Sequence, residues 1–524
     1  MKKSSLIMLL LIPLLVGCNG KSKRKSGGGS GRVFEVPVVD LANLHINLPE
    51  MPTLDKTSPV KREGSNDIID IYEVSDMHAM IDFNIEKGYW GFSGLANLFN
   101  EKRSDNPGTI VVSSGDMWQG GAESNLTRGK VVAEAMRYVG FESMALGNHE
   151  FDWGEDVMKQ NAERFTQDMP ILCGNLVDTR TSARPTYIQP STVIERGGYK
   201  VGVIGTIGAI ETSIAKSMFA NFRLTSSTEF AKEEAKRLKE SEHCDVVVWC
   251  SHENAIQMTP PENVDVVFGG HEHNDINQTA EGASVGHEVP KLATKNYGES
   301  IAHATLEIDP STKAVVSATG ELLKTTENTE LRKYLVDEAK VKNLLDQYKD
   351  ATSEVKKYEL NKVSGTFRKD FELANLSCKA MYEMFKLDNC VCALQNGTGG
   401  VRIDIEPGMV TYGDVYTAFP FDNEIAYFTV KGSNIGTFFD RGSVKNVEKY
   451  VSKTKLSEYD SNTDYTFITT DYVCTNILKM TENQFTRIAG SVIRDVVAEY
   501  IFKHSGLKAS AFSSDLPNFQ APSR

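Results

Sequence analysis

A series of short apolar runs, most of them stopping abruptly at polar residues, sets the rhythm of the first half of the chain. Ile68 to Val74 gives way to Ser75-Asp76-Met77-His78, and Thr109 to Val112 to Ser-Ser-Gly-Asp116. An apolar approach from Met144 stops at Gly147 and continues as Asn148-His-Glu-Phe-Asp152. Tyr199 to Ile204 is a further run, Asp245 to Cys250 ends in Ser251-His252-Glu253-Asn254, and Val264 to Phe268 ends in Gly269-Gly-His-Glu-His273. Between them Gly129 to Val139, closed by Gly140, Glu155 to Phe165 and Glu229 to Glu240 carry helical periodicity. Strands alternating with helices predict an α/β domain, in which ligands bind beyond the carboxyl ends of the strands. The polar clusters lie there.

The second half reads differently. Asn328 to Lys357 is charged, with Leu331, Leu335, Ala339, Val341 and Leu345 spaced for one helical face, and predicts a connector helix. An α+β domain is expected from about residue 358, with a helix over Asn375 to Lys386 and a strand over Cys390 to Leu394 that places Cys390 and Cys392 on one face. That strand runs into Gln395-Asn-Gly-Thr-Gly-Gly-Val-Arg402, where glycines would let the backbone approach an anion while the guanidinium forks around it. An ordinary Gly-rich turn accounts equally well for this stretch. The expected organisation is 1–17 leader, 18–66 tether and irregular extension, 67–327 first domain, 328–357 connector, 358–510 second domain and 511–524 tail.

The N-terminus changes the picture of where the protein works. Lys2 and Lys3 precede an apolar run from Leu6 to Val16, shorter than the roughly 20 residues a spanning helix needs, which predicts a secretory leader. Leu15-Val16-Gly17-Cys18 resembles the lipobox of bacterial lipoproteins, implying cleavage before Cys18, its acylation, and an extracytoplasmic, membrane-anchored protein of the cell envelope. Asn19 to Arg32, basic and then Gly-rich, reads as a flexible tether. Of the eight cysteines, Cys18 leaves seven, an odd number that implies no disulfide framework. The chain carries 57 basic and 70 acidic residues; without Met1 to Gly17 it keeps 55 basic residues and a net charge of −15. Such a surface has no cationic footprint for a nucleic-acid polymer, and a small anionic substrate would need local positive charge.

Metal ions are one source of it. Five of the ten histidines fall in the strand-end clusters, together with Asp76, Asp116 and Asn148. Carboxylate, imidazole and amide ligands without thiolate suit Mn, Fe, Zn, Co or Mg. Eight groups are too many for one ion and suit two ions about 3.5 to 4 Å apart sharing a carboxylate, which clamps the attacking and leaving oxygens of a phosphoryl displacement.

Asp-x-His, Gly-Asp, Gly-Asn-His-Glu, a single His and Gly-His-x-His, in this order, resemble the calcineurin-like metallophosphoesterases, and Gly-Asn-His-Glu-Phe-Asp-Trp-Gly resembles their 5′-nucleotidase and UDP-sugar hydrolase branch. The resemblance implies a β-sandwich flanked by helices, with Asp76, His78, Asp116 and His273 holding one divalent metal and Asp116, Asn148, His252 and His271 the other. His149, paired with Asp152, would face the phosphate and stabilise the departing charge. Ala79 stands where the family usually has glycine, and a local loop adjustment is expected. Asn-Gly-Thr-Gly-Gly-Val-Arg402, Val410 to Tyr416 and Phe419-Pro-Phe-Asp-Asn423 are similar to the substrate-binding domain of 5′-nucleotidases. They imply Arg402 as an anion ligand, Phe421 as an aromatic face for the base and Asn423 as a polar contact to it, with Arg368 a second cation. Two departures stand out. Asn396 lies six residues before Arg402 rather than five, and after Thr469-Thr-Asp-Tyr472 the usual Gly-Gly-Asp-Gly-Phe loop, the second aromatic wall, is missing. Tyr472 and Phe485 are the two candidates to replace it.

The implied activity is a two-metal phosphohydrolase, a 5′-nucleotidase releasing nucleoside and phosphate. The alternatives are a 2′,3′-cyclic-nucleotide phosphodiesterase with 3′-nucleotidase activity, a UDP-sugar or dinucleotide pyrophosphatase, and, in a different class, a nucleotide-binding lipoprotein without turnover.

Overall fold

The computed structural model describes residues 34–41, 44–165, 168–281 and 286–513. The leader, Cys18 and the tether lie outside the described residues. Among the described residues no helix is long and apolar enough to cross a membrane.

The apolar runs become the inner strands of two sheets. In the first the order is Val315–Leu323, Ile301–Ile308, Asn66–Glu73, Thr109–Ser113, Ser143–Ala145 and Ile171–Leu172, with Arg62–Glu63 paired on Asn66–Glu73. In the second it is Ile276–Glu281, Glu288–Ala293, Val266–Phe268, Val246–His252, Tyr199–Ile207 and Ser191–Arg196. The central strands of both are parallel. The sheets share a core in which Ile69, Ile71, Ile110 and Val112 meet Val201, Val203, Val246 and Val248. Helices cover both outer faces. Gly91–Asp105, Lys130–Val139 and Ala339–Lys356 bring Leu95, Phe99, Val132, Met136, Leu344 and Tyr348 to the first sheet, and Ser227–Glu240 brings Ala231, Ala235 and Leu238 to the second. Strands apolar on both faces therefore read as continuous apolar runs. Each buried Val or Ile contributes roughly 1.5–3 kcal/mol relative to exposure. Helix ends follow local rules: Ser226 accepts the backbone N–H of Glu229, and Gly140 stops Lys130–Val139 at φ 84°.

The second part is built on a five-stranded sheet ordered Glu448–Val451, Cys390–Gln395, Asp464–Thr470, Glu424–Lys431 and Thr486–Val492. The helices Ala374–Phe385 and Ile493–Lys503 pack beside it, and a small sheet joins Gly408–Thr411, Glu359–Ser364 and Leu507–Lys508.

Three expectations change. The connector is not one helix: Thr329–Tyr334 is a 3-10 segment capped by Asn328, and the α-helix starts only at Ala339, where Glu338 accepts the N–H of Val341. Two capping side chains ten residues apart start two elements, so Ala339 is exposed while Val341, Leu344, Leu345 and Tyr348 are buried. In the Cys390–Gln395 strand the register slips between Cys390 and Cys392, so the simple alternation fails there: Cys392 is buried and Cys390 half-buried. All seven described cysteines are free. Finally, Phe512, assigned to the tail, is buried against Phe367, and its carbonyl accepts from Asn375.

Candidate active site

Each cluster sits where its strand runs out. Asp76 and His78 follow Asn66–Glu73, Asp116 follows Thr109–Ser113, Asn148 and His149 follow Ser143–Ala145, His252 ends Val246–His252, and His271 and His273 follow Val266–Phe268. Three loops come from one sheet and two from the other, and they converge at the carboxyl ends of the strands.

Three overlapping groups of potential cation ligands result, one of them His78, Asp116 and His149. Asp76, His78 and His273 lie with their ligand atoms within 4.8 Å of one another, as do Asp116, His252 and His271. His78 Nε2 and His273 Nε2 are 3.0 Å apart. Asn148 Oδ1 is 3.1 Å from His252 Nε2 and 2.9 Å from His271 Nδ1. Nitrogens each about 2.1 Å from a common ion and at right angles to it stand about 3.0 Å apart, so the donor set has the spacing of a coordination shell. Burial holds His78, His271 and His273 below their ordinary pKa, His271 at about 4 and His273 at about 3, in the neutral form a ligand requires. His252 is the exception: burial opposes its charge, but Asp116 and Asp76 push it up to about 10, so a cation there must displace a proton. Asp116 stands between the groups, with Oδ2 3.1 Å from His252 Nε2 and 4.0 Å from His78 Nε2.

The surrounding backbone is shaped to fit. A Cβ on Gly147 would lie 2.2 Å from Asp116 Oδ1, so only glycine lets the two loops approach. Ala79 has φ 54°, a left-handed conformation in which glycine would be unstrained. His252 Nδ1 is fixed 2.8 Å from the Ser114 carbonyl and His78 Nδ1 3.2 Å from that of Gln119, which orients both rings.

His149 borders the cages, with a ring nitrogen within 4.8 Å of ligand atoms of His78 and Asp116. Its Nδ1 is 2.8 Å from Asp152 Oδ2, and its backbone N–H donates to Asp116 Oδ1 at 2.9 Å. Burial alone would lower its pKa, but Asp152 and Asp116 raise it, favouring an imidazolium with Nε2 free for another partner. Asp152 itself is raised by burial.

The second part closes over this surface. Arg402 Nη2 lies 3.1 Å from both ring nitrogens of His78, its guanidinium carbon is 5.8 Å from the centre of Phe421, and Phe421 stacks on His149 at 5.5 Å and 27°. Together with Asn423 and Tyr472 they bound a cavity of about 250 Å³ whose other wall carries Asp116, Asn148, His149 and Asp152. Arg368 is not brought there: its guanidinium pairs with Glu372 at the start of a helical turn and points to solvent. Phe485 is buried in the second hydrophobic core, beneath Arg487, and leaves Tyr472 as the candidate that lines the cavity.

Glu150 was not singled out by the sequence reading. It is buried, and its two oxygens accept four backbone N–H groups, from Asp116, Gly147, Met117 and Trp118, which ties the Asp116 loop to the Asn148 loop. Burial and the charge of Asp116 push it up to about 7. Its place inside Asn148-His-Glu-Phe, among the candidate site residues, was the available signal.

Comparison with known proteins agrees with this geometry. Residues 69–275 match the calcineurin-like phosphoesterase family and residues 351–467 the 5′-nucleotidase C-terminal domain. The chain is 25% identical to Endonuclease YhcR of Bacillus subtilis over 419 residues, 70% of this chain but 32% of that protein, so it spans about a third of that relative's length. It is 23% identical to a 5′-nucleotidase of Vibrio cholerae over 435 residues, covering 72% of this chain and 76% of that one. A 5′-nucleotidase precursor from Thermus thermophilus superposes with a TM-score of 0.69 at 17% identity, over 87% of this chain and 100% of the other. A two-sheet sandwich with paired cation cages at its strand ends makes this a calcineurin-like metallophosphoesterase, a class that uses two divalent metal ions. Within that class, the chain belongs to the proteins that join the phosphoesterase to a 5′-nucleotidase C-terminal domain, and it is a metal-dependent phosphoester hydrolase.

Proposed function

We propose that the protein is a 5′-nucleotidase of the cell envelope, anchored through a lipidated Cys18 and converting nucleoside 5′-monophosphates to nucleoside and phosphate. The observation that carries this reading is the single cavity that has cation ligands on one wall and Arg402, Phe421 and Asn423 on the other. The 5′-nucleotidases among its relatives support it.

In this reading Asp76, His78, Asp116 and His273 hold one cation and Asp116, Asn148, His252 and His271 the other. When bound, the two ions supply Lewis-acid charge at the phosphate and lower the pKa of water. Asp116 keeps the two cages in register through its central carboxylate. His149, with Nδ1 committed to Asp152, directs the proton on Nε2 toward the leaving oxygen and stabilises the charge that develops there. Arg402 brings a fixed positive charge to the phosphate from the second domain, and Phe421 and Asn423 meet the base.

The test is turnover by the full chain in detergent with added Mn or Co, read by product analysis: nucleoside and phosphate from a 5′-monophosphate, a nucleoside monophosphate from a 2′,3′-cyclic nucleotide, and UMP with glucose 1-phosphate from UDP-glucose. Nucleoside 5′-monophosphates should exceed 2′,3′-cyclic nucleotides and UDP-glucose by at least about tenfold in kcat/KM, about 1.4 kcal/mol of transition-state binding. Preference for either rival would reassign the substrate, and absence of turnover on all three would leave only a binding role.

A further inference from the structure

The segment that replaces the expected aromatic loop is a π-helical turn, Val473–Ile477, and the residues at its two ends, Tyr472 and Ile477, line the same cavity as Phe421. From the metal-binding domain Ala215 and Met218 line it as well. What joins these pieces is Asn476. It is 4% exposed. Its side-chain amide donates to the carbonyls of Thr212 at 3.1 Å and Ile214 at 2.7 Å, and its Oδ1 lies 2.7 Å from the Thr475 hydroxyl. Both donors of the amide and its oxygen are thus engaged, and the orientation of the group follows from the partners.

We infer that Asn476 is a positioning residue that clamps the two domains into a shared second wall of the base site, formed by Tyr472 and Ile477 on one side and Met218 on the other. The inference rests on the nucleotide reading above. The chemistry required of the clamp is narrow. Two backbone carbonyls need two donors on one short side chain, which Asn supplies; Asp would set a carboxylate against both, and Leu would leave the buried carbonyl of Ile214 without this partner. Aromatic and thioether or aliphatic surfaces facing Phe421's cavity suit the flat apolar face of a nucleobase, whereas the phosphate is met by Arg402 and the cages. Loss of the clamp should therefore act on the base and spare the phosphate.

The experiment compares adenosine 5′-monophosphate with ribose 5-phosphate, which lacks the base, in the full-length, metal-loaded protein. Asn476→Leu should raise KM for the nucleotide about tenfold, the effect of losing one stacking wall, with kcat within about twofold and KM for ribose 5-phosphate unchanged. If that variant does not fold, Ile477→Ala and Met218→Ala carry the test, with the same split expected from each. Equal losses on both substrates, or no change on either, overturn the inference while leaving the nucleotide reading in place. A wild-type enzyme that hydrolyses ribose 5-phosphate as efficiently as the nucleotide overturns the reading itself and the inference with it.

Discussion

Asp76, His78, Asp116, His271 and His273, five of the seven candidate cation ligands, have φ between 44° and 75°. An L-residue in this region costs roughly 1–2 kcal/mol, a strain that surrounding structure must hold in place and that concentrates at functional sites. Glu150 is one such holder. In Glu150→Gln the amide nitrogen must face two of the four N–H groups now accepted by carboxylate oxygens. The expected loss is roughly 2–5 kcal/mol of stability, together with weaker metal retention, measured by denaturant unfolding and elemental analysis. Unchanged metal content would show that Asp116 holds its place without this brace. His149 and Asp116 separate binding from turnover. His149→Asn should keep both metals and lower kcat by about 10²–10⁴-fold, whereas Asp116→Ala should empty at least one site. A His149→Asn enzyme with normal turnover would remove this residue from the reaction. At Ala79 the effects nearly cancel: relief of roughly 1–2 kcal/mol of strain in Ala79→Gly is offset by the lost buried methyl, about 0.8 kcal/mol, and by backbone entropy of about 0.4–1 kcal/mol. This residue is thus tolerated without displacing a ligand.

The outer face of the first sheet carries a pH-sensitive cluster unrelated to the site. His303, on Ile301–Ile308, places Nε2 2.9 Å from Asp70 Oδ1 and Nδ1 2.8 Å from Glu321 Oε1, contacting both flanking strands. Burial lowers its pKa, but the two carboxylates outweigh burial and raise it above its ordinary 6.5. Its contribution is therefore complete below about 6.5 and is lost as pH rises through the higher folded value. Asp70 and Glu321 shift the other way. Burial raises Asp70, but His303 lowers both carboxyls, so their contribution is lost on acidification below the carboxylate range. The destabilisation caused by His303→Gln, followed by denaturant unfolding across pH, should be largest between about pH 4.5 and 6.5 and shrink above it. A constant difference through pH 8 would mean the ring is not charged in the fold. Elements of this kind also show what sequence conveys. The inner strands were legible because burial on both faces writes an unbroken apolar run, and the ligands because polar residues interrupt it at the strand ends. The break at Leu335 to Glu338 and the register slip at Cys390 and Cys392 depend on cap geometry and on a partner strand some 75 residues away, which local periodicity does not encode. Arg368 was misplaced for a related reason: resemblance to the substrate-binding domain suggests an anion ligand there, but Glu372, four residues on, claims it first.

At the scale of the whole molecule, activity in the proposed form depends on two domains meeting over one cavity, and their polar links lie around it. Besides Arg402 at His78 and Asn476 at the 212–214 loop, Arg128 of the first domain donates to Asp422 of the second at 2.7 Å. Asp422 also pairs with Arg494 at 2.5 Å, and the two arginines depress its pKa to about 2 against the opposing effect of burial. Because Asp422 lies between Phe421 and Asn423, this pair fixes the orientation of the base-facing segment as well as the docking of the domains. The Arg128 and Asp422 side chains keep 34% and 22% of their exposure, so solvent screens part of the attraction. A double-mutant cycle with Arg128→Gln and Asp422→Asn removes the separate effect on Arg494, which occurs in both arms of the cycle. The expected coupling is about 1–2 kcal/mol, within the range for groups in direct contact, in unfolding free energy and in binding of nucleoside 5′-monophosphate alike. Additivity in unfolding would mean that the domains are held by other links. Coupling in unfolding but not in binding would confine this ion pair to docking and leave the base-facing segment to be placed by Arg494.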